Sequence, residues 1–289
     1  MTRNQAAQTA FGPMVLAAVE QYEPPSRRLV DDPLALRFLP PALRALVASA
    51  RVDVIRRTLV AACERAGPGL WASITCRKRL IDEQLVAAMP DIESVVILGA
   101  GMDTRGYRLT APDVTVFEVD QAVNITRKAA VVRRALSRQP ISVSLVPLDF
   151  EHDDLAATLA EHGYRSTSRT FFIWEGVTQY LSADAVRATF AQLSDMSPGS
   201  LLVFTYIRQD FIDGTDLHGA TALYRRFRQR SEVWKSGLRP EEIRDVLSDF
   251  GWRLRENMGP KYYADKYVRP AGRHLTISDI EWSAVAEKI

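Results

Sequence analysis

From Ser94 onward, short apolar runs alternate with amphipathic stretches, and no other feature of this chain restricts its fold as strongly. The runs are VVIL (95–98), VTVFEV (114–119), ISVSLVPL (141–148), TFFIW (170–174) and SLLVFTYI (200–207). The clearest stretch between them carries Ala122, Ile125, Ala129, Val132 and Leu136 at helical spacing. Strands separated by helices demand crossover connections, which produce a parallel sheet with helices on both faces. WRLREN (252–257) reads as a sixth strand. A seventh follows in DIEWSAVAEK, where Ile280, Trp282, Ala284 and Ala286 alternate with polar neighbours. A helix is expected after Pro240, stopped at Gly251. The fold class is therefore α/β, a Rossmann-like, seven-stranded and mostly parallel sheet.

Residues 1–90 have a different texture. Apolar residues recur at helical spacing through LALRFLPPALRALVASARVDVIRRTLVAACERA, broken at Pro40-Pro41, and CRKRLIDEQLVAAM continues with Leu80, Ile81, Leu85 and Ala88 on one stripe. This predicts an N-terminal helical cap over 1–90 and a core over 91–289. A polar, arginine-rich helical insert interrupts the core at about 208–245 and, with the cap, is expected to form the acceptor pocket.

Composition removes several function classes. Thirty-seven basic against 35 acidic residues give a net charge of +2, with no overall pull toward nucleic acid or an anionic membrane. Arg56-Arg57 and the run RRFRQR (225–230) are local exceptions, read as solvated helix faces rather than an anion-binding patch. Cys63 and Cys76 cannot build a four-sulfur zinc site, and His152, His162, His218 and His274 have no ligand spacing, so no metal is expected. No apolar run approaches 18 residues, and the N-terminus lacks an export pattern. The expectation is a cytoplasmic monomer or homodimer acting on a small molecule.

In sheets of this kind ligands bind beyond the carboxyl ends of the strands, so the residues just after each strand carry the functional argument. The first strand runs into GAGMDTR, where Gly99, Ala100 and Gly101 permit a tight turn and close approach to a ligand. A dinucleotide fingerprint needs glycine at 104, where Thr104 stands. The second strand ends at Asp120, whose carboxylate suits ribose hydroxyls or, alternatively, a helix cap. Asp149 and Phe150 follow the third strand, suited to an adenine amino group and ring, or to a turn. Glu175 follows the wholly apolar TFFIW and needs a cationic partner, such as a ligand ammonium or sulfonium. Several carboxylates without a phosphate-binding glycine triplet fit an adenosine with a cationic amino-acid tail better than a dinucleotide. S-adenosyl-L-methionine has that composition.

On RKRLID (77–82), LGAGMDTRGYRL (98–109), FEVDQAVNITRKA (117–129), IWEGVTQYLS (173–182) and FGWRLRE (250–256), the chain resembles the leucine carboxyl methyltransferase superfamily. These pieces cover roughly Asp32 to the C-terminus. TAFGP (9–13) and DDPLA (31–35) are similar to its bacterial branch, and YYADKYVRPAGRHLTISDIE (262–281) to its polyketide carboxyl O-methyltransferases of the tetracenomycin type. The resemblance implies a class I methyltransferase fold. It also implies that Arg77, with Arg79 the alternative, holds the methionine carboxylate. Gly99 and Gly101 would line the methionine end, with Asp120 at the ribose, Asp149 at the adenine and Glu175 at the amino end. Arg108 reads as a structural ion-pair former.

The implied reaction is O-methylation, forming a methyl ester on a small aromatic or polyketide-derived acid and leaving S-adenosyl-L-homocysteine. A carboxylate nucleophile is already ionised at pH 7 and needs no base. Tyr180 and Tyr206, past the fourth and fifth strands, are candidates for orienting the acceptor oxygen, and Arg105 and Arg208 for pairing with an acceptor carboxylate. Hydroxyl methylation, and a protein that binds S-adenosyl-L-methionine without catalysis, are the alternatives.

Overall fold

A computed structural model describes residues 11–137 and 140–289. Residues 1–10 of the expected cap, including the first two residues of TAFGP, lie outside the described residues. The chain opens with helices α1 (Phe11–Glu20), α2 (Pro41–Ser49), α3 (Asp53–Ala66) and α4 (Leu70–Ala88). Strands β1 (Ser94–Leu98), β2 (Thr115–Asp120), β3 (Val143–Pro147), β4 (Thr170–Trp174) and β5 (Leu201–Ile207) follow, with α5 (Ala122–Leu136), α6 (Leu155–Glu161) and α7 (Ala183–Gln192) as crossovers. Helix α8 (Ile243–Ser248), β6 (Trp252–Met258) and β7 (Glu281–Lys288) complete the core.

The seven strands form one sheet in the order β3-β2-β1-β4-β5-β7-β6, parallel except for β7, which runs antiparallel to both neighbours. The expected α/β architecture is thus present, and each predicted strand appears within two or three residues of its bounds. The third starts at Val143 because Ile141 projects fully into solvent from the preceding loop.

Strand periodicity distributes the core. Val96, Leu98, Phe117, Phe172 and Trp174 pack against α6, α7 and α8 on one face of the sheet. Their neighbours Val95, Ile97, Val116, Phe171 and Ile173 pack on the other face, against Ala72, Cys76, Leu80, Ile81 and Leu85 of α4. Helix α4 was expected in the cap, yet its apolar stripe is one of the layers covering the sheet. The remaining cap helices sit on the outer side of α4 and on α5, where Met14, Leu16, Phe38, Leu39, Trp71 and Val132 form a separate cluster. Buried Glu20 ties this cluster together. It accepts hydrogen bonds from the Leu29 amide at 2.9 Å, the Trp71 indole at 2.7 Å and Arg273 at 3.2 Å, a buried charge made tolerable by three donors.

The insert after β5 is a series of short pieces, Gln209–Asp213, Thr221–Tyr224 and a wider turn Arg225–Arg230, held over the sheet end by Phe211, Leu223 and Trp234. No helix among the described residues is long and apolar enough to cross a membrane.

Candidate active site

The order of strands reverses between β1 and β4, and a cavity of about 1300 Å³ opens at their carboxyl ends. The post-strand loops furnish part of its lining; α1, α3, α4, the insert, Asn124 of α5 and Glu281 of β7 add to it.

The loop after β1 is shaped by its glycines. Gly99 has φ +69°, and a Cβ there would lie 2.3 Å from Val177 Cγ2. The Gly99 and Ala100 amides donate to the Val119 carbonyl at 2.8 and 2.9 Å, pinning the loop to the end of β2. Asp120 then accepts from the Gly101 amide at 2.7 Å through Oδ2, and from the Gln121 amide and Asn124 side chain through Oδ1 at 2.7 and 2.8 Å. It anchors the β1 loop instead of capping α5, and still lines the cavity with lone-pair capacity to accept a hydroxyl. Asp149 and Phe150 line the cavity too. Asp149 also forms the anticipated turn, accepting from the Glu151 amide at 3.1 Å, with His152 Nδ1 3.3 Å away.

Glu175, after β4, is the centre of a buried charge network. Arg77 Nε donates to Oε1 at 3.0 Å, Arg105 Nη1 to Oε2 at 2.6 Å, and Lys78 Nζ stands 3.9 Å from Oε2. Burial alone would raise this carboxyl, but Lys78, Arg105 and Arg77 together hold it well below the ordinary carboxylate range. Burial likewise opposes the charge of Arg77, and Glu281 and Glu175 more than restore it. Arg77 engages Glu281 through Nη1, while Nη2 lies beside Gly176. Arg77 and Lys78 both line the cavity. Arg79 does not; it is half-buried, pairs with Glu83 at 2.8 Å and lies over the Tyr267 ring. Of the two arginines proposed for a ligand carboxylate, Arg77 is the one beside the cavity.

Three expected acceptor contacts are not there. Arg105 is fully buried beneath the cavity floor, with Nε on Asp82 at 2.6 Å, Nη1 on Asp103 and Glu175, and Nη2 on the Lys78 carbonyl at 3.2 Å. Every nitrogen is committed, so it organises the floor and cannot take a substrate carboxylate. Arg108 is structural, as anticipated, bonding Asp82 at 2.7 Å and Thr104 at 2.9 Å. Arg208 lies outside the cavity, bound to Asp210 at 2.7 Å. Tyr206 points to the opposite side of β5 from cavity-lining Ile207, as alternation requires. It is fully buried and donates to Asn257 Oδ1 at 2.9 Å. Tyr180 does line the cavity, from a short turn over Thr178–Tyr180.

In place of the lost contacts, the insert contributes residues that sequence reading passed over. Phe227 and Trp234 stack with ring centroids 4.5 Å apart and planes 8° apart. Arg226 and Arg230, from the run read as a solvated face, line the cavity beside them, and Arg226 lies 5.0 Å from the Phe227 ring centroid. Arg228 turns away and fastens the turn, donating to the Ile212 and Trp234 carbonyls at 3.0 and 2.6 Å. Leu70, Ile74, Met14 and Leu16 extend the apolar lining. Among the described residues, no group of three or more His, Cys, Asp or Glu side chains is arranged to hold a metal ion.

The sequence model of the family described as Leucine carboxyl methyltransferase matches residues 10–194. A candidate S-adenosyl-L-methionine-dependent methyltransferase of Mycobacterium marinum is 29% identical over 264 residues, covering 86% of this chain and 82% of the relative. A similarly described protein of Frankia alni is 30% identical over 273 residues, covering 91% and 87%. Among solved structures, a candidate methyltransferase from Thermobifida fusca superposes with a TM-score of 0.56 at 17% identity, covering 81% of this chain and 88% of that one. A DUF574 family protein from Streptomyces avermitilis has a TM-score of 0.56 at 13% identity, covering 95% and 97%. These two superpositions show a shared fold.

Proposed function

Since the chain belongs to the leucine carboxyl methyltransferase family, we propose that this S-adenosyl-L-methionine-dependent methyltransferase esterifies the carboxylate of a small aromatic or polyketide-like acid. The observation that carries the reading is that one cavity combines two linings. One is the set of strand-end groups Gly99, Asp120, Asp149 and Glu175; the other is the Phe227–Trp234 stack with Arg226 and Arg230 beside it.

The first lining fits the methyl donor. Gly99 lets the backbone pass closely where a Cβ would collide with Val177. Asp120 has lone-pair capacity for a ribose hydroxyl, Asp149 and Phe150 suit the adenine, and Glu175 offers negative charge to an ammonium or sulfonium. Bound there, S-adenosyl-L-methionine supplies a methyl group on a cationic sulfur. Transfer forms one oxygen–methyl bond and breaks one sulfur–methyl bond. The sulfur keeps the electron pair as a neutral thioether, and no proton moves when the nucleophile is a carboxylate.

The second lining fits the acceptor. A planar anion matches an aromatic stack flanked by two guanidinium groups, through cation–π and charge-assisted contacts. What remains for the protein is alignment of oxygen, methyl and sulfur, an effect able to supply roughly 7–11 kcal/mol. Tyr180, whose side chain lines the cavity, is the candidate for orienting the acceptor oxygen.

The test incubates the protein with methyl-labelled donor and paired acceptors, each aromatic or polyketide acid against its primary amide. Alkali-labile label on the acids alone supports the reading. Alkali-stable label on phenols would replace it with hydroxyl methylation, for which His152, in the lining and 3.3 Å from Asp149, is the available base. Binding of donor without any transfer would point to a non-catalytic binder.

A further inference from the structure

We infer, resting on the aromatic-acid reading above, that Gln179 determines acceptor specificity and that the acceptor carries a ring hydroxyl, recognised by Gln179 and Trp234. Among the described residues, the buried side-chain polar atoms without a hydrogen-bond partner include only two on residues that line the cavity. They are Gln179 Oε1 and Trp234 Nε1. Gln179 is 4% exposed and Trp234 6%. A buried polar atom left unpaired is destabilising, so each of these calls for a partner.

The donors on adjoining residues are already committed. The Lys235 amide donates to the Gln179 carbonyl at 2.6 Å, Ser236 Oγ to the Thr178 carbonyl at 3.1 Å, and Thr178 Oγ1 to the Thr205 carbonyl at 2.8 Å. Lys235 Nζ donates to Glu151 Oε1 at 2.8 Å. On the insert side, Arg228 spends Nε and Nη1 on the Ile212 and Trp234 carbonyls. These bonds also fix where the two orphaned atoms stand. Lys235 and Ser236 fasten the insert to the turn after β4, so Gln179 meets the insert at the residue next to Trp234. Both belong to the acceptor lining that carries the Phe227–Trp234 stack.

One orphan lacks a donor and the other lacks an acceptor. A hydroxyl both donates and accepts, and is the smallest substituent that complements the two. A carboxylate only accepts, so it could serve Trp234 but would leave Gln179 Oε1 facing another oxygen. The carboxamide turns about a soft terminal torsion, which brings Oε1 to the ligand at little cost. An acid lacking the hydroxyl would leave both protein atoms buried and unpaired, and such sites discriminate strongly against the bare analogue.

The test compares naphthoic acid with the set of its monohydroxy derivatives. It reads turnover with methyl-labelled donor, and calorimetric binding to protein saturated with S-adenosyl-L-homocysteine. At least one hydroxy acid is expected to exceed naphthoic acid by about 10- to 100-fold in kcat/KM and in affinity. Gln179→Met, similar in length and without a hydrogen-bonding amide, is expected to shrink that ratio to below about 3-fold. It should also leave the Tm of the ligand-free protein unchanged or raised, because no protein partner of Oε1 is lost. A Tm fall of more than about 2 °C, or failure to fold, would mark Gln179 as a structural residue and overturn the role. Equal rates and affinities for plain and hydroxylated acids in wild type refute the role and leave esterification standing. A hydroxyl preference in binding without alkali-labile label supports the role and refutes esterification. Alkali-stable label on the hydroxyl would make that group the nucleophile and overturn the role. Protein that neither binds nor methylates any of these acids refutes the aromatic-acid reading and the role of Gln179 with it.

Discussion

Replacing Glu175 by Gln is the most direct test of the charged floor. The change preserves size, removes one buried negative charge, and exchanges one of two accepting oxygens for an amide donor that faces a guanidinium. Arg77 at 3.0 Å, Arg105 at 2.6 Å and Lys78 at 3.9 Å lose their common anion, while Glu281 and Asp103 remain. Breaking a buried ion pair from one side costs about 3–5 kcal/mol. Unfolding entropy of about 2.1 cal/mol/K per residue, over 289 residues, gives roughly 0.6 kcal/mol/K. The expected fall in Tm is therefore about 5–8 °C, measured by calorimetry at pH 7 without ligand. Because Glu175 is only 8% exposed, raising the salt from about 0.05 to about 0.5 M should recover little of the loss. Adding Lys78→Met removes one of the stranded cations, so the double variant should lose less than the sum of the two single losses. A Tm change below about 2 °C, or strictly additive losses, would refute the network as described.

Other expectations follow from the same geometry. Tyr206→Phe should lower stability by about 1–2 kcal/mol, through the unpaired Asn257 acceptor, and leave turnover within about 2-fold; a 10-fold fall in kcat would return Tyr206 to the reaction. Gly99→Ala should cost about 2–5 kcal/mol, from the positive φ and the 2.3 Å approach to Val177. Adding Val177→Ala should remove the steric part alone, as read by denaturant titration. Glu175 and Asp103 titrate below their ordinary values of 4.5 and 3.8 because their guanidinium and ammonium neighbours outweigh burial. As pH falls through that range the unfolded chain takes up protons first. Their stabilisation, complete above about pH 5, is lost on acidification, and the Tm slope between about pH 5 and 3 should be shallower in Glu175→Gln. Arg226→Gln with Arg230→Gln should raise KM for a carboxylated acceptor about 10-fold and leave S-adenosyl-L-homocysteine affinity unchanged; an unaltered KM would remove the pair from the acceptor site.

Much of this protein follows from its sequence alone, because strand and helix periodicities are local. The apolar runs had to be buried on both faces, so they became strands of a covered parallel sheet, and residues at strand ends had to meet at its carboxyl edge. Asp120, Asp149, Phe150, Glu175 and the glycines of GAGMDTR were legible for that reason, and all of them line one cavity. What tertiary structure decided is which side of the cavity floor each charge occupies. Arg105 looks like a substrate arginine until Asp82, 23 residues earlier, and Glu175, 70 residues later, enclose it. Lys78 is one residue from Arg77 and reads as part of a basic run, yet these two line the cavity while Arg79, the next residue, does not. Tyr206 falls on the buried side of β5 through one step of strand alternation relative to Ile207, a register that only pairing with β4 and β7 establishes. Arg226 and Arg230 read as a solvated face because a charge run has no local signal for the surface it will meet. Arg228, reaching the Ile212 and Trp234 carbonyls, folds that run onto the cavity. Periodicity dictates which face of an element is apolar, but the partner of a buried charge is set by chain segments far away in sequence, brought together only when the sheet closes.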